Sequence, residues 1–186
     1  MRRSAALAAR PDGGMRIFLV GFMGAGKTTV GRLLAGRLGA PFVDLDQEIE
    51  QRAGGTIREI FERHGEPEFR RLEMETLHEV LAGGGDAVIA TGGGTVTSEA
   101  GARLVTAAGL SVWLNPSVAT SVGRIGGRGK ADRPLLRDEA QALELYRGRL
   151  AAYRRADLTV DVGAGEAPEE VAARIDLLLR ERRCAT

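Results

Sequence analysis

The apolar run Ile17-Phe18-Leu19-Val20 leads straight into Gly21-Phe22-Met23-Gly24-Ala25-Gly26-Lys27-Thr28, and Thr29-Val30-Gly31-Arg32-Leu33-Leu34-Ala35 follows with helical spacing. The pattern G-x-x-x-x-G-K-[ST], set between a strand and a helix, is a phosphate cradle of the P-loop kind. Its glycines let successive backbone N–H groups aim at one anion, and the following helix adds its positive end at the same point. Lys27 is spaced to reach the outer phosphates, and the Thr28 hydroxyl to coordinate Mg²⁺. A glycine-rich turn that merely precedes a helix is the alternative, but here every fixed position of the pattern is present in the required context. The segment predicts binding of a nucleoside triphosphate, with Gly24, Ala25, Gly26, Lys27, Thr28 and Thr29 around its phosphates.

Short apolar runs at 17–20, 41–44, 87–90, 111–114 and 158–160 alternate with helical patterns. The helical stretches fall near 28–38, 45–52, 56–64, 67–82, 98–108, 117–126, 137–155 and 168–182. That alternation predicts an α/β fold, a five-stranded parallel sheet flanked by helices. With 186 residues the chain fits one domain. Residues 1–14 read as a flexible N-terminal extension and 15–186 as the single domain. In such sheets ligands gather outside the carboxyl ends of the strands. Three strands end in chemically loaded sequence: Val20 before the P-loop, Val43 before Asp44-Leu45-Asp46, and Ala90 before Thr91-Gly92-Gly93-Gly94.

The 26 basic and 25 acidic residues nearly cancel, which leaves no broad electrostatic case for nucleic acid or a membrane surface. The single cysteine, Cys184, cannot form an intramolecular disulfide, so a reducing, cytoplasmic setting is expected. No apolar run approaches the ~18 residues that suggest a membrane span. The opening basic, alanine-rich stretch is too short and too interrupted, by Arg10, for a signal peptide.

The second strand begins to describe what receives the phosphate. Asp44 and Asp46 flank Leu45, so in an extended chain both carboxylates project to one side. One can serve a metal ion, and the other can orient a substrate hydroxyl. Helix capping is the competing role for one of them, because Gln47-Glu48-Ile49 looks like a first turn. Helical phase separates the adjacent Arg70 and Arg71. Arg70 falls in line with Met74, Leu77 and Leu81, whereas Arg71 falls with Glu75, His78 and Glu79. A guanidinium on an apolar stripe needs an anion. A bound ligand is one candidate, and an internal pair with Glu73 or Glu62 is the other. By the same phase argument Arg149 lies with Ala142, Tyr146 and Tyr153, while Arg147, Arg154 and Arg155 turn to solvent. Two inward arginines suit a carboxylate, which they bind through forked, charged hydrogen bonds.

Gly92-Gly93-Gly94 follows a buried strand and permits close approach to bare backbone. Gly83-Gly84-Gly85 follows a helix and reads instead as a cap and connector. The stretch Gly126-Gly127-Arg128-Gly129-Lys130-Ala131-Asp132-Arg133-Pro134 is glycine-rich and basic, as a mobile lid would be, and as a solvated loop would be too. His64 and His78 read as surface positions, and Trp113 as core.

From about Met15 to Leu179 the chain resembles the shikimate kinases. The resemblance rests on Phe42-Val43-Asp44-Leu45-Asp46, on Ile57-Arg58-Glu59-Ile60-Phe61 with Gly65-Glu66, and on Phe69-Arg70-Arg71-Leu72-Glu73. Thr91-Gly92-Gly93-Gly94 and Arg133-Pro134-Leu135-Leu136 complete it in the same order. What it implies is a nucleoside-monophosphate-kinase-like P-loop NTPase fold with acceptor-binding helices at about 45–82 and a lid at about 126–136. The implied reaction is ATP-dependent phosphorylation of the 3-hydroxyl of shikimate, on the route to chorismate and the aromatic amino acids, by a cytoplasmic monomer. By motif position Asp46 holds the acceptor hydroxyl, Arg70 and Arg149 clamp the carboxylate, and Gly92, Gly93 and Gly94 line the substrate. Lys27 and Arg133 serve catalysis. Thr28 is implied as the Mg²⁺ ligand with Asp44 behind it. Arg124, Arg133 and Pro168 are implied on the ATP side. A related kinase for another small metabolite, such as gluconate, is expected to lack this ensemble.

Overall fold

The structure, a computed structural model, describes residues 14–125 and 139–184. All but Gly14 of the expected extension, and the expected lid with Arg133, lie outside the described residues.

Five parallel strands, β1 (Arg16–Val20), β2 (Phe42–Asp44), β3 (Ala87–Ala90), β4 (Leu110–Pro116) and β5 (Leu158–Val162), form one sheet in the order β2-β3-β1-β4-β5. Side chains alternate across it, as the period of two requires. Ile17, Leu19, Val88, Val112 and Leu114 face one layer, made by α1 (Lys27–Leu38) and α7 (Pro168–Cys184). Phe18, Val20, Ile89 and Trp113 face the other. That second layer holds α2 (Leu45–Ala53), α3 (Ile57–Ala82), α4 (Glu99–Ala108) and α6 (Glu139–Tyr153). A short α5 (Val118–Arg124) follows β4. Trp113 is 5 % exposed and belongs to the core.

Local chemistry sets the helix ends. Thr56 and Glu59 form a reciprocal capping box at the start of α3. Ser98 and Ser117 cap α4 and α5 by accepting from Gly101 and Thr120 backbone N–H groups. The expected separate helices at 56–64 and 67–82 are joined end to end in α3, with a break at Gly65 (φ 77°, ψ 177°). Glycine alone takes that conformation cheaply, and Pro67 sits just beyond it, where a first turn has no need of the missing N–H.

Three loops that leave β1, β2 and β3 stand side by side at the carboxyl edge, because these strands are neighbours in the sheet. No helix among the described residues is long and apolar enough to cross a membrane.

Candidate active site

The P-loop wraps the start of α1 as the motif requires. Gly24 (φ 74°) and Gly26 (φ 94°) occupy left-handed conformations that a side chain would strain. Gly26 is the N-cap of α1 and offers no side chain to the first turn, which holds no acidic residue. The positive end of α1 is therefore left for an anion. The Lys27 ammonium donates to the Gly21 and Phe22 carbonyls at 2.9 and 3.0 Å, folded over its own loop. Ala25 is buried and Thr29 exposed.

Asp44 ends β2 and caps α2, accepting from the backbone N–H groups of Asp46 and Gln47. Its other oxygen accepts from the Thr28 hydroxyl at 2.6 Å. The two aspartates therefore do not flank an extended residue, since the helix has already begun at Leu45. Asp44 is turned to the P-loop. Asp46, in the first turn of α2, places Oδ1 3.0 Å from where a Cβ on Gly92 would stand.

The two glycine triplets separate sharply. Gly83 is the C-cap of α3, and Gly84 and Gly85 are exposed with open space around them. Gly92-Gly93-Gly94 lies against chemistry at every position. A Cβ on Gly92 would stand 2.7 Å from Glu73 Oε1, and one on Gly93 would stand 3.2 Å from Arg149 Nη1. On Gly94 it would stand 2.6 Å from both Arg70 Nη atoms. Gly93 also abuts the P-loop, 3.6 Å from Gly21 O and Met23 N by the same measure. None of the three has a positive φ. Close approach, and not backbone freedom, is what they supply.

Arg70 takes one of the internal partners expected of it, Glu73, and still stays partly open. Its Nη1 donates to Glu73 Oε2 at 2.7 Å and its Nη2 to Glu66 Oε1 at 3.0 Å, yet 27 % of its side chain remains exposed beside Gly94. Burial disfavours the charged guanidinium, but Glu73 and Glu66 outweigh it and hold its pKa above the ordinary value. Glu73 is 2 % exposed and also accepts from the Thr95 hydroxyl at 2.6 Å, so the carboxylate that braces Arg70 is itself fixed. Glu62 pairs with Arg58 instead. Arg71 lies on the surface between Glu68 and Glu75, as its phase indicates.

Arg149 is 8 % exposed on α6, while Arg147, Arg154 and Arg155 are exposed. The same helix ties the two loops together. Tyr146 packs edge-on to Phe22 of the P-loop at 5.6 Å, and the Tyr153 hydroxyl donates to the Gly93 carbonyl at 2.6 Å. Burial pushes the Tyr153 phenol up to about 12, although the Arg149 guanidinium pulls the other way. Helical phase places Tyr153 with Arg149, but the bond from its hydroxyl to Gly93 is visible only in the structure. A hydroxyl one helical turn after an inward arginine was the available signal.

Arg124 ends α5 with Nη1 3.8 Å from a Cβ position on Gly26, so it stands over the P-loop. Pro168 opens α7 after β5, at the same edge of the sheet. Asp46, Arg70, Arg149 and the three glycines thus converge beside the P-loop, and Arg133 lies outside the described residues. The arrangement can hold an anionic acceptor with an alcohol next to a terminal phosphate.

The family model described as "SKI: Shikimate kinase" matches residues 23–179. The shikimate kinase of Geobacter sulfurreducens is 45 % identical over 177 residues, 93 % of this chain and 95 % of that protein. That of Ruegeria pomeroyi is 42 % identical over 170 residues, covering 90 % and 86 % respectively. A solved shikimate kinase from Acinetobacter baumannii, in complex with shikimate, has a TM-score of 0.86 at 37 % identity, over 91 % of this chain and 95 % of that one. A deoxyadenosine kinase from M. mycoides, 15 % identical with a TM-score of 0.53, shares the fold.

Proposed function

The chain belongs to the shikimate kinase family, whose reaction is ATP-dependent phosphorylation of shikimate, and we propose that this chain transfers the phosphoryl group to the 3-hydroxyl through the residues converging on the β3 glycine loop. The observation that carries this reading is the crowding of Gly92, Gly93 and Gly94 by Asp46, Arg149 and Arg70 in turn, with the P-loop against Gly93.

In this reading Arg70 and Arg149 bind the acceptor carboxylate, and their spacing from Asp46 turns one hydroxyl toward the nucleotide. Asp46 accepts a hydrogen bond from that hydroxyl and aligns it. It takes the proton late, because a loose phosphoryl-transfer transition state needs little help from a base. Lys27 exchanges the Gly21 and Phe22 carbonyls for phosphate oxygens as nucleotide enters. Arg124 and Pro168 border the base end of ATP. Arg133, by its motif position, is the further cation for the transferring group. Most of the rate enhancement is then positioning and charge neutralisation.

Thr28 Oγ1 and Asp44 Oδ2 present hard oxygen donors at the start of α1, and among the described residues no group of three His, Cys, Asp or Glu forms a closed cage. That set fits Mg²⁺, which takes few protein oxygens and leaves the rest to phosphate and water. Thr28 would hold the ion directly, with Asp44 behind it. The charge neutralisation that Mg²⁺ would supply to the phosphates would then be held at Thr28 and Asp44.

A coupled assay of ADP release over a panel of hydroxylated carboxylic acids tests the proposal. Shikimate should be turned over with the highest kcat/KM. A different acid leading the panel, or no turnover with shikimate, refutes it.

A further inference from the structure

We propose that Tyr153 is a positioning residue of the acceptor site: its phenol fixes the peptide between Gly93 and Gly94, and thereby the two glycines that the paired arginines touch. Gly93 lies against Arg149 and Gly94 against Arg70. The peptide joining them is planar, so its C=O and N–H point in opposite directions, and holding one aims the other. The neighbouring carbonyls are held locally by the 3₁₀ turn at Thr95–Thr97. Gly92 O accepts from Thr95, and Gly94 O accepts from the Thr97 hydroxyl at 2.6 Å. Gly93 O is held from another element, by the Tyr153 hydroxyl at 2.6 Å across 60 residues of sequence.

The tether is stiff at its other end. Tyr153 is fully buried, and its ring lies 6.0 Å from that of Trp113 in β4. It is also four residues after Arg149, so both side chains leave the same face of α6. One helix therefore supplies the guanidinium that touches Gly93 and the hydroxyl that sets that residue's orientation. A small rotation of α6 would move both at once, and the glycines carry no side chains with which to resist.

The inference rests on the reading that Arg70 and Arg149 bind the acceptor carboxylate, so the experiment pairs two variants. Tyr153→Phe keeps the ring against Trp113 and deletes the hydrogen bond. Its KM for shikimate should rise about tenfold, the scale of misplacing one charged contact to the carboxylate, with the KM for ATP within about twofold and kcat reduced less than about threefold. Arg149→Ala should raise the KM for shikimate more strongly. An unchanged value for Arg149→Ala sinks the carboxylate reading itself. A raised value there with an unchanged value for Tyr153→Phe sinks only the role of Tyr153. A Tyr153→Phe protein that does not fold, or that weakens ATP and shikimate alike, assigns Tyr153 to stability and overturns the inference.

Discussion

The Thr28 hydroxyl donates a 2.6 Å hydrogen bond to Oδ2 of Asp44, while Oδ1 of the same carboxylate caps α2 through the N–H groups of Asp46 and Gln47. One side chain thus joins the first turn of α1 to the first turn of α2, and so the Thr28 hydroxyl to the helix that carries Asp46. Asp44→Asn separates its two duties, because asparagine caps as well as aspartate but carries no charge. Unfolding free energy should then change by less than about 0.5 kcal/mol, against a loss of about 1 kcal/mol for Asp44→Ala. Both variants should need more Mg²⁺ for half-maximal activity. Urea denaturation and a Mg²⁺ titration of turnover read the two effects separately.

Asp46→Asn should lower kcat by about 10²-fold or more, the usual scale for a residue aligning and deprotonating a nucleophile. The KM for ATP should stay within about twofold, since Asp46 borders Gly92 and not the helix end that receives phosphate. Steady-state kinetics decide it, and wild-type turnover would remove Asp46 from the mechanism.

Gly94→Ala and Gly101→Ala make a paired prediction. The new methyl at 94 meets the far ends of Arg70, 2.6 Å away, and the arginine can swing aside. The protein should fold and bind ATP normally while the KM for shikimate rises about tenfold, the loss of one charged contact. At 101 the methyl collides with the Thr95 backbone carbonyl. Stability should fall by about 1–3 kcal/mol, measured by thermal unfolding, with kinetics of the folded fraction little changed.

Glu73→Ala strips a buried partner from Arg70 and from the Thr95 hydroxyl together. Because Arg70 remains partly exposed, the cost should lie near 1–3 kcal/mol, below that of severing a fully buried pair. Shikimate binding should weaken as well, as Arg70 loses its brace. Arg71→Ala, which removes only surface pairs, should leave shikimate kinetics unchanged. Denaturation curves together with shikimate KM values distinguish the two sites.

The chain has two tyrosines, and burial raises the pKa of both, that of Tyr153 to about 12. A folded pKa above the unfolded value of about 10 favours the folded state fully below pH 10. That contribution is lost as pH rises through 12. Absorbance near 295 nm should therefore show Tyr153 still mostly protonated at pH 11 in the folded protein, where about nine-tenths of the phenols ionise in denaturant. Normal titration of both phenols in the folded protein would contradict the burial of Tyr153.

Local spacing by itself determined much of this protein. Short apolar runs identified five strands, the 3.6-residue period separated Arg70 from Arg71 and Arg149 from Arg147, and the P-loop followed from fixed positions in one short segment. Glycine and proline marked the break in α3 at Gly65. These are consequences of backbone geometry within a few residues, so a linear reading reaches them. The tertiary structure alone decided which side chain stands against each glycine of Gly92-Gly93-Gly94. It also decided that Asp44 turns to Thr28 while Asp46 turns to Gly92, that Glu73 braces Arg70, and that Tyr153 holds Gly93. Each of those depends on which helix face lies over which strand end. Packing of layers brings together residues far apart in the chain, and no periodicity within one element encodes the partner it will meet.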